Sequence, residues 1–378
     1  VDAVRRQIGM LDHVLFAGFT HRPAVELAEG LLACAPTGFT RVFFADCGSA
    51  AVECALKMSF QYHRQSGAPE RCSFATLENG YHGETLGALA VCGQNAYRAA
   101  FEPLLTDVIQ LPVPSFPDHV HDDASLELGT DDVALTRAVE LIEANANTLA
   151  AVILEPVVQC AGRMRVIGAG FCKRISETAR RVGAHVIHDE IAVGMGRTAR
   201  MFASEWTGTR PDFLCLGKAL SGGIGPLACV LVGEGIDQAF AGSPARSFLH
   251  SHTYTANAIA CAAGLASLEL LRDQLLPTAP AMIERLAEAR RHVADRCRAV
   301  HHHRQLGSIV AFDLDETVAR RVHDGRVGLA IRMAALQRGV LLRPLHTTVY
   351  WMPPLTLDDH ALAQLVDGTA GAIQDVSG

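Results

Sequence analysis

Three short segments of the chain carry residues that could do chemistry together. In Phe213-Leu-Cys-Leu-Gly-Lys-Ala-Leu-Ser-Gly-Gly223, Lys218 follows a wholly apolar run and precedes a glycine turn. A lysine held at a buried sheet edge has a lowered pKa, and its neutral amine can form an imine with an aldehyde. A lysine that caps the strand and reaches solvent fits the same residues. In His185-Val-Ile-His-Asp-Glu-Ile191, Asp189 closes a second apolar run. A carboxylate beside a pyridine nitrogen keeps that nitrogen protonated and turns the ring into an electron sink; the same carboxylate could instead cap the next helix. Ile191 shares a face with Asp189 and could pack on such a ring. Upstream, Asp46-Cys-Gly-Ser49 leads into a stretch in which Val52, Ala55, Leu56 and Phe60 recur at helical spacing. Free N–H groups at that helix start, with the Ser49 hydroxyl, would hold a phosphate, although serine is also an ordinary N-cap.

The elements that must position these residues form an alternation. Short apolar runs predict strands at Val42–Phe44, Ser73–Thr76, Ala88–Cys92, Val108–Leu111, Ala150–Leu154, His185–His188, Phe213–Leu216 and Ala228–Val232. Helical stretches separate them, the pattern of a mostly parallel α/β sheet covered by helices. Ligands of open α/β sheets lie outside the carboxyl ends of the strands, so Asp46 to Ser49, Glu155, Asp189 and Lys218 share one expected site. Pro112 to Asp132 reads as a surface loop before a helix Val133 to Ala146. A helical region follows from Ala256 to Leu271, then a long amphipathic helix near Pro280 to Ala299. Strand, helix and strand at Ser308–Phe312, Gly328–Arg338 and Val340–Arg343 complete a small α+β domain. The expected division is an N-terminal segment 1–34, a large domain 35–272 and a small domain 273–378. The run His301 to His303 looks like a metal tract, but reads better as a solvated linker. No metal is assigned.

Composition bounds the function. With 378 residues the chain exceeds the roughly 250–300 that one core usually serves. It is 49% hydrophobic and 19% charged, as globular proteins are, and no apolar run approaches the ~20 residues of a membrane span. The net charge of −7 gives no basic field for nucleic acid or a membrane surface, which leaves small-molecule chemistry. Eleven cysteines, an odd number without a CxxC pair, fit buried free thiols in a reducing cytoplasm. The chain opens on Val1, so residues of a complete enzyme are expected upstream.

Taken together, the segments resemble the class III aminotransferases of PLP (pyridoxal 5′-phosphate) fold type I. The match runs through Gly48-Ser49, Tyr81-His-Gly83, Glu155-Pro156, Asp189-Glu-Ile191, Gly194-Met-Gly-Arg-Thr198 and Leu216-Gly-Lys-Ala219, in family order and approximate spacing. Within that family the chain looks most like the adenosylmethionine-8-amino-7-oxononanoate aminotransferases of biotin synthesis. Phe19-Thr-His21, Ala51-Val-Glu53, Lys57-Met58, Val157-Val-Gln159, Arg343-Pro344 and Tyr350-Trp-Met-Pro-Pro354 carry that likeness, which covers nearly the whole chain. The resemblance implies that Lys218 binds PLP as a Schiff base and that Asp189 pairs with the pyridine nitrogen. It implies that Gly48, Ser49 and Thr253 bind the phosphate, with Thr253 supplied by the partner of a homodimer. Tyr81 would stack on the ring, His82 and Ile191 would complete the cofactor pocket, and Arg343 with Tyr350 would meet the substrate, Arg343 by a two-pronged grip on its carboxylate.

The departures lie elsewhere. Where the biotin-pathway enzymes carry Gly-Pro-Thr-Phe-Met ahead of Asn-Pro, this chain has Ser251-His-Thr-Tyr-Thr255 and then Asn257-Ala258. Their Gln-Gly-Ala-Gly-Gly becomes Gln159-Cys-Ala-Gly-Arg163, and an aspartate after Tyr-His-Gly becomes Glu84. Arg163, His252 and Glu84 are therefore expected near the substrate entrance. Amino transfer from S-adenosylmethionine or a similar donor is the leading expectation. The alternative is PLP-dependent carbon transfer, in which loss of the sulfonium leaving group lets the aminobutyrate unit join an acceptor such as the pyridinium ring of NAD, as in specialised metabolism. A catalytically silent binding protein is the third reading, and it would need neither Lys218, Asp189 nor Ser49.

Overall fold

The computed structural model describes residues 1–93, 96–114, 133–322 and 325–378. Its strands are β1 (Phe39–Ala45), β2 (Ser73–Leu77), β3 (Ile109–Leu111), β4 (Leu149–Leu154), β5 (Val158–Gln159), β6 (Arg165–Val166), β7 (His185–Asp189), β8 (Phe213–Leu216), β9 (Ala228–Gly233), β10 (Val300–Leu306), β11 (Ile309–Leu314) and β12 (Thr348–Trp351). Seven strands form one sheet in the order β1-β9-β8-β7-β4-β2-β3. All its pairings are parallel except those of β9, which runs antiparallel to both neighbours. Reversing β9 leaves β1 pointing the same way as β8, so six carboxyl ends lie along one edge. Every residue of β4, β7, β8 and β9 is buried. A sheet covered on both faces needs such continuous apolar strands rather than alternation.

The helix Gly48–Gln65 packs Val52, Ala55 and Leu56 into one core on this sheet, together with Phe213, Cys215 and Val230. On the far side of the chain, β10, β11 and β12 form an antiparallel sheet with a core of its own, including Leu286, Phe312, Ile331 and Trp351. A two-stranded hairpin, β5 and β6, falls between β4 and β7 in sequence and packs in one core with Leu306, Ile309 and Ala311 of the second sheet.

Several expectations are corrected. Ala88–Cys92 is not a strand: a helix runs over Leu86–Ala90, because Glu53 Oε1 accepts Thr85 Oγ1 and the amides of Gly87 and Ala88 and so caps its start. A short apolar run does not by itself distinguish the two. The His301 to His303 run is no linker; it lies in β10, where His302 pairs with Asp313 and His303 with Phe312. Among the described residues no group of three or more His, Cys, Asp or Glu could hold a metal. Val340–Arg343 is irregular rather than extended, following a helix end at which Gly339 takes φ +72°. The strand that pairs with β11 comes after Pro344, at Thr348–Trp351. The amphipathic helix starts earlier than expected, at Leu276, and joins the helix Ala258–Leu270 through a π-helical turn over Leu271–Leu275. Most of the expected loop Pro112 to Asp132 lies outside the described residues. No described helix is long and apolar enough to cross a membrane.

Candidate active site

The carboxyl ends of β1, β4, β7 and β8 open onto a cavity of about 360 Å³. Gly48, Ser49, Tyr81, His82, Glu84, Glu155, Asp189, Ile191, Lys218, Arg343 and Tyr350 all line it. Those from Gly48 to Lys218 converge because strand direction delivers them to one edge, and Arg343 and Tyr350 reach the cavity from the side of the second sheet.

The floor is built around Asp189, the last residue of β7, which is 4% exposed. His82 Nδ1 donates to its Oδ2 at 2.8 Å, and the Ile191 amide donates to Oδ1 at 3.0 Å. Two donors fix the carboxylate in orientation and satisfy its buried oxygens. Beside it Glu155, 3% exposed, accepts from the amides of Tyr81 and Cys160 at 3.1 and 3.0 Å. Burial, the dominant influence, pushes its carboxyl up to about 7, with nearby Asp189 adding to the shift and His82 opposing it.

One end of the cavity is the start of the helix Gly48–Gln65, where first-turn amides have no carbonyl of their own helix to bond. The approach there is tight. A Cβ on Gly48 would lie 3.0 Å from Ile191 Cδ1, and one on Gly83, at φ +130°, would lie 2.2 Å from Ser49 Oγ. Ser49 Oγ accepts from the Glu84 amide at 3.2 Å, which leaves its proton for another acceptor. Tyr81 OH donates to Glu84 Oε1 at 2.8 Å, so burial and the neighbouring carboxylate both raise the phenol's pKa.

Lys218 departs from the expectation of burial. It is exposed to the cavity, and it makes no hydrogen bond or ion pair among the described residues. Its backbone sits at φ +43°, the left-handed region that a non-glycine residue occupies at a cost and that recurs at functional sites. The turn after β8, not a dry environment, is what presents this amine.

Two expected entrance residues, Arg163 and His252, are elsewhere. Arg163 does not line the cavity; its guanidinium donates to Thr348 Oγ1 at 3.0 Å and to Thr347 Oγ1. His252 is also outside, its Nδ1 donating to Asp46 Oδ2 at 2.7 Å along a separate groove with His250 and Phe248. Thr253 is exposed and meets none of its own chain's cavity. Cys160, Met164, Tyr97, Leu345 and Met352 line the cavity without having been expected there. Cys160 was visible as a departure from the resembling motif, whereas Tyr97 sits in a stretch with no signal of function.

A buried fixed carboxylate, a free lysine amine and an anion-ready helix start in one cavity fit PLP, which carries a ring nitrogen, an aldehyde and a phosphate. The class III aminotransferase family model matches residues 1–373. The chain belongs to the class III aminotransferases. This family is PLP-dependent. Adenosylmethionine-8-amino-7-oxononanoate aminotransferases from Nitratidesulfovibrio vulgaris and Synechococcus elongatus are 39% and 38% identical to it. Those matches cover 98% and 100% of this chain and 70% and 86% of the relatives. Among solved structures, an adenosylmethionine-8-amino-7-oxononanoate aminotransferase from Methanocaldococcus jannaschii superposes with a TM-score of 0.89 at 28% identity, over 99% of this aminotransferase and 84% of that chain. An amine transaminase from an uncultivated Pseudomonas species, in its PLP-bound form, gives 0.87 at 31% identity, over 100% and 86%.

Proposed function

We propose that this aminotransferase moves an amino group from S-adenosylmethionine, or a similar amino donor, in a biosynthetic reaction. The observation that carries the reading is one cavity in which Asp189, Lys218 and the Gly48–Ser49 helix start face Arg343 and Tyr350 of the other wall. The two relatives named for adenosylmethionine support the choice of donor.

When bound, PLP supplies an electron sink that stabilises negative charge on the substrate carbon. The chain's residues do the rest. Asp189, oriented by His82 and the Ile191 amide, keeps the ring nitrogen protonated. Ser49 and the first-turn amides bind the phosphate. Tyr81 and Ile191, which both line the cavity, would pack on the ring, with the Tyr81 hydroxyl held by Glu84. Lys218 would hold the cofactor's aldehyde carbon and, as a general base, would move the proton at the substrate carbon. Arg343 grips the substrate carboxylate from the opposite wall.

Carbon transfer rested on Arg163, His252 and Glu84, and only Glu84 lines the cavity. The deciding experiment is incubation of the holoenzyme with S-adenosylmethionine alone. Amino transfer converts the cofactor to its amine form and releases a keto acid. Release of methylthioadenosine, with deuterium entering Cβ in heavy water and no amine form, would overturn the proposal.

We also propose a homodimer with shared sites. Thr253 is exposed and outside its own cavity, on a segment whose Leu249 and Tyr254 are 82% and 65% exposed, and a second copy would cover them. Sedimentation velocity should find a dimer.

A further inference from the structure

The cavity has two walls that belong to different sheets, and two arginine side chains, Arg163 and Arg304, tie them. The turn of the β5–β6 hairpin contributes Ala161 and Met164 to the first wall. The segment from Arg343 to Met352 contributes Arg343, Leu345, Tyr350 and Met352 to the second. Arg163 lies in that turn and reaches across to the middle of the segment, donating to Thr347 Oγ1 and, at 3.0 Å, to Thr348 Oγ1. Thr348 is itself bridged to Leu345 by paired backbone bonds of 2.8 and 2.9 Å. Holding Thr347 and Thr348 therefore holds both flanks that face the substrate.

The contact closes into a ring. Thr348 Oγ1 donates to Asp313 Oδ1 at 2.6 Å, Asp313 Oδ2 accepts from Arg304 at 2.6 Å, and Arg304 donates back to the carbonyls of Arg163 and Met164 at 2.5 and 2.7 Å. Arg163 and Met164 both sit at positive φ, +67° and +52°. Two consecutive non-glycine residues in that region persist only where their surroundings over-determine them. Here Arg304 fixes the two carbonyls and Arg163 gains its own partners across the gap.

We infer that Arg163 is a positioning residue: it touches nothing in the cavity, but sets the separation of its two walls and so the place of Arg343 and Tyr350. The inference rests on the reading of that wall as the substrate carboxylate's side.

Arg163→Gly and Arg163→Ala both remove the bonds to Thr347 and Thr348 and keep those of Arg304 to the turn, but glycine accepts positive φ without penalty and alanine does not. The glycine variant should therefore melt above the alanine variant, while both lose substrate grip alike. With S-adenosylmethionine as donor, both should raise KM about tenfold with kcat nearly unchanged, and with 1-phenylethylamine, which lacks a carboxylate, neither should change KM. Arg163→Lys, keeping one donor across the gap, should recover part of the loss. In either cofactor state, amide hydrogen exchange across residues 343–352 should quicken in both variants while β7 stays protected. A KM change that follows melting temperature, or equals that for the carboxylate-free amine, would overturn the inference. So would unchanged exchange at 343–352, which decides the tie even for an enzyme inert toward both donors; that inertness would instead count against the proposed function.

Discussion

The floor of the cavity and its outer wall are built by different means. The floor comes from strand ends of one sheet: Asp189 closes β7, Lys218 follows β8, Glu155 follows β4, and the Gly48 helix follows β1. Its geometry is fixed by the most buried part of the fold, and its partners are close at hand, as with the Ile191 amide on Asp189. The outer wall comes from an irregular segment, Arg343 to Leu345, and from β12 of a second sheet, held to the turn of the β5–β6 hairpin by side chains such as Arg163 and Arg304. The floor is therefore suited to holding a cofactor rigidly, and the wall to admitting and gripping a substrate. Changes to the floor should abolish chemistry, and changes to the wall should alter which molecule is used and how tightly.

The largest effect should follow loss of the anchor. Lys218→Ala is expected to remove the visible absorbance of lysine-bound PLP and all turnover; any residual catalysis at wild-type rates would dissolve the distinction between floor and wall. Asp189→Asn should keep PLP bound, by absorbance after gel filtration, and lower kcat by several orders of magnitude, because the ring nitrogen loses its ionic partner.

The floor also carries a cost that pH exposes. Glu155 has a folded-state value near 7, raised by burial from an ordinary 4.5. The stability linked to its neutral form is present below that ordinary value and lost as pH rises through about 7. A shift of this size corresponds to roughly 3 kcal/mol, so in urea denaturation of the cofactor-free protein Glu155→Gln should lose less stability between pH 5.5 and pH 8 than the wild type does. The opposite trend would place the charged carboxylate in a better-satisfied setting than the structure shows.

At the wall, Arg343→Ala should raise KM for a carboxylate-bearing donor about thirtyfold, from roughly 2 kcal/mol for a charged hydrogen-bonded contact, with kcat less affected. Steady-state kinetics checks the split. The smallest effect is expected at the dimer boundary. Thr253→Ala should weaken PLP binding about fivefold, the worth of roughly 1 kcal/mol for one hydrogen bond, measured by equilibrium dialysis. An unchanged affinity would remove Thr253 from the phosphate site.

The same division explains what could be read from sequence. Asp189, Lys218 and Glu155 announce themselves because each ends a continuous apolar run, and a parallel sheet puts such ends together. Seven of the eight runs expected in the large sheet are strands there. The exception, Ala88–Cys92, turned on Glu53, a residue distant in sequence that caps the start of a helix instead. In β10 the histidines hid a strand whose partner is β11, since three polar residues in a row carry no alternation to detect. Lys218 was placed correctly at a strand end, but its exposure depends on a backbone at positive φ that no local residue pattern displays. Arg163 was noticed as a substituted residue, yet the direction of a long side chain is set by what lies across a gap, here Thr347 and Thr348. Pairings between distant segments are what local periodicity omits.

The chain has three lysines, Lys57, Lys173 and Lys218, so one measurement can test the central assignment directly. The PLP-loaded protein would be reduced with borohydride, digested and mapped by mass spectrometry. A reduced cofactor adduct on the peptide bearing Lys218, and on neither of the others, is the predicted result. An adduct on Lys57 or Lys173, or a protein that binds PLP without any reducible adduct, would contradict it.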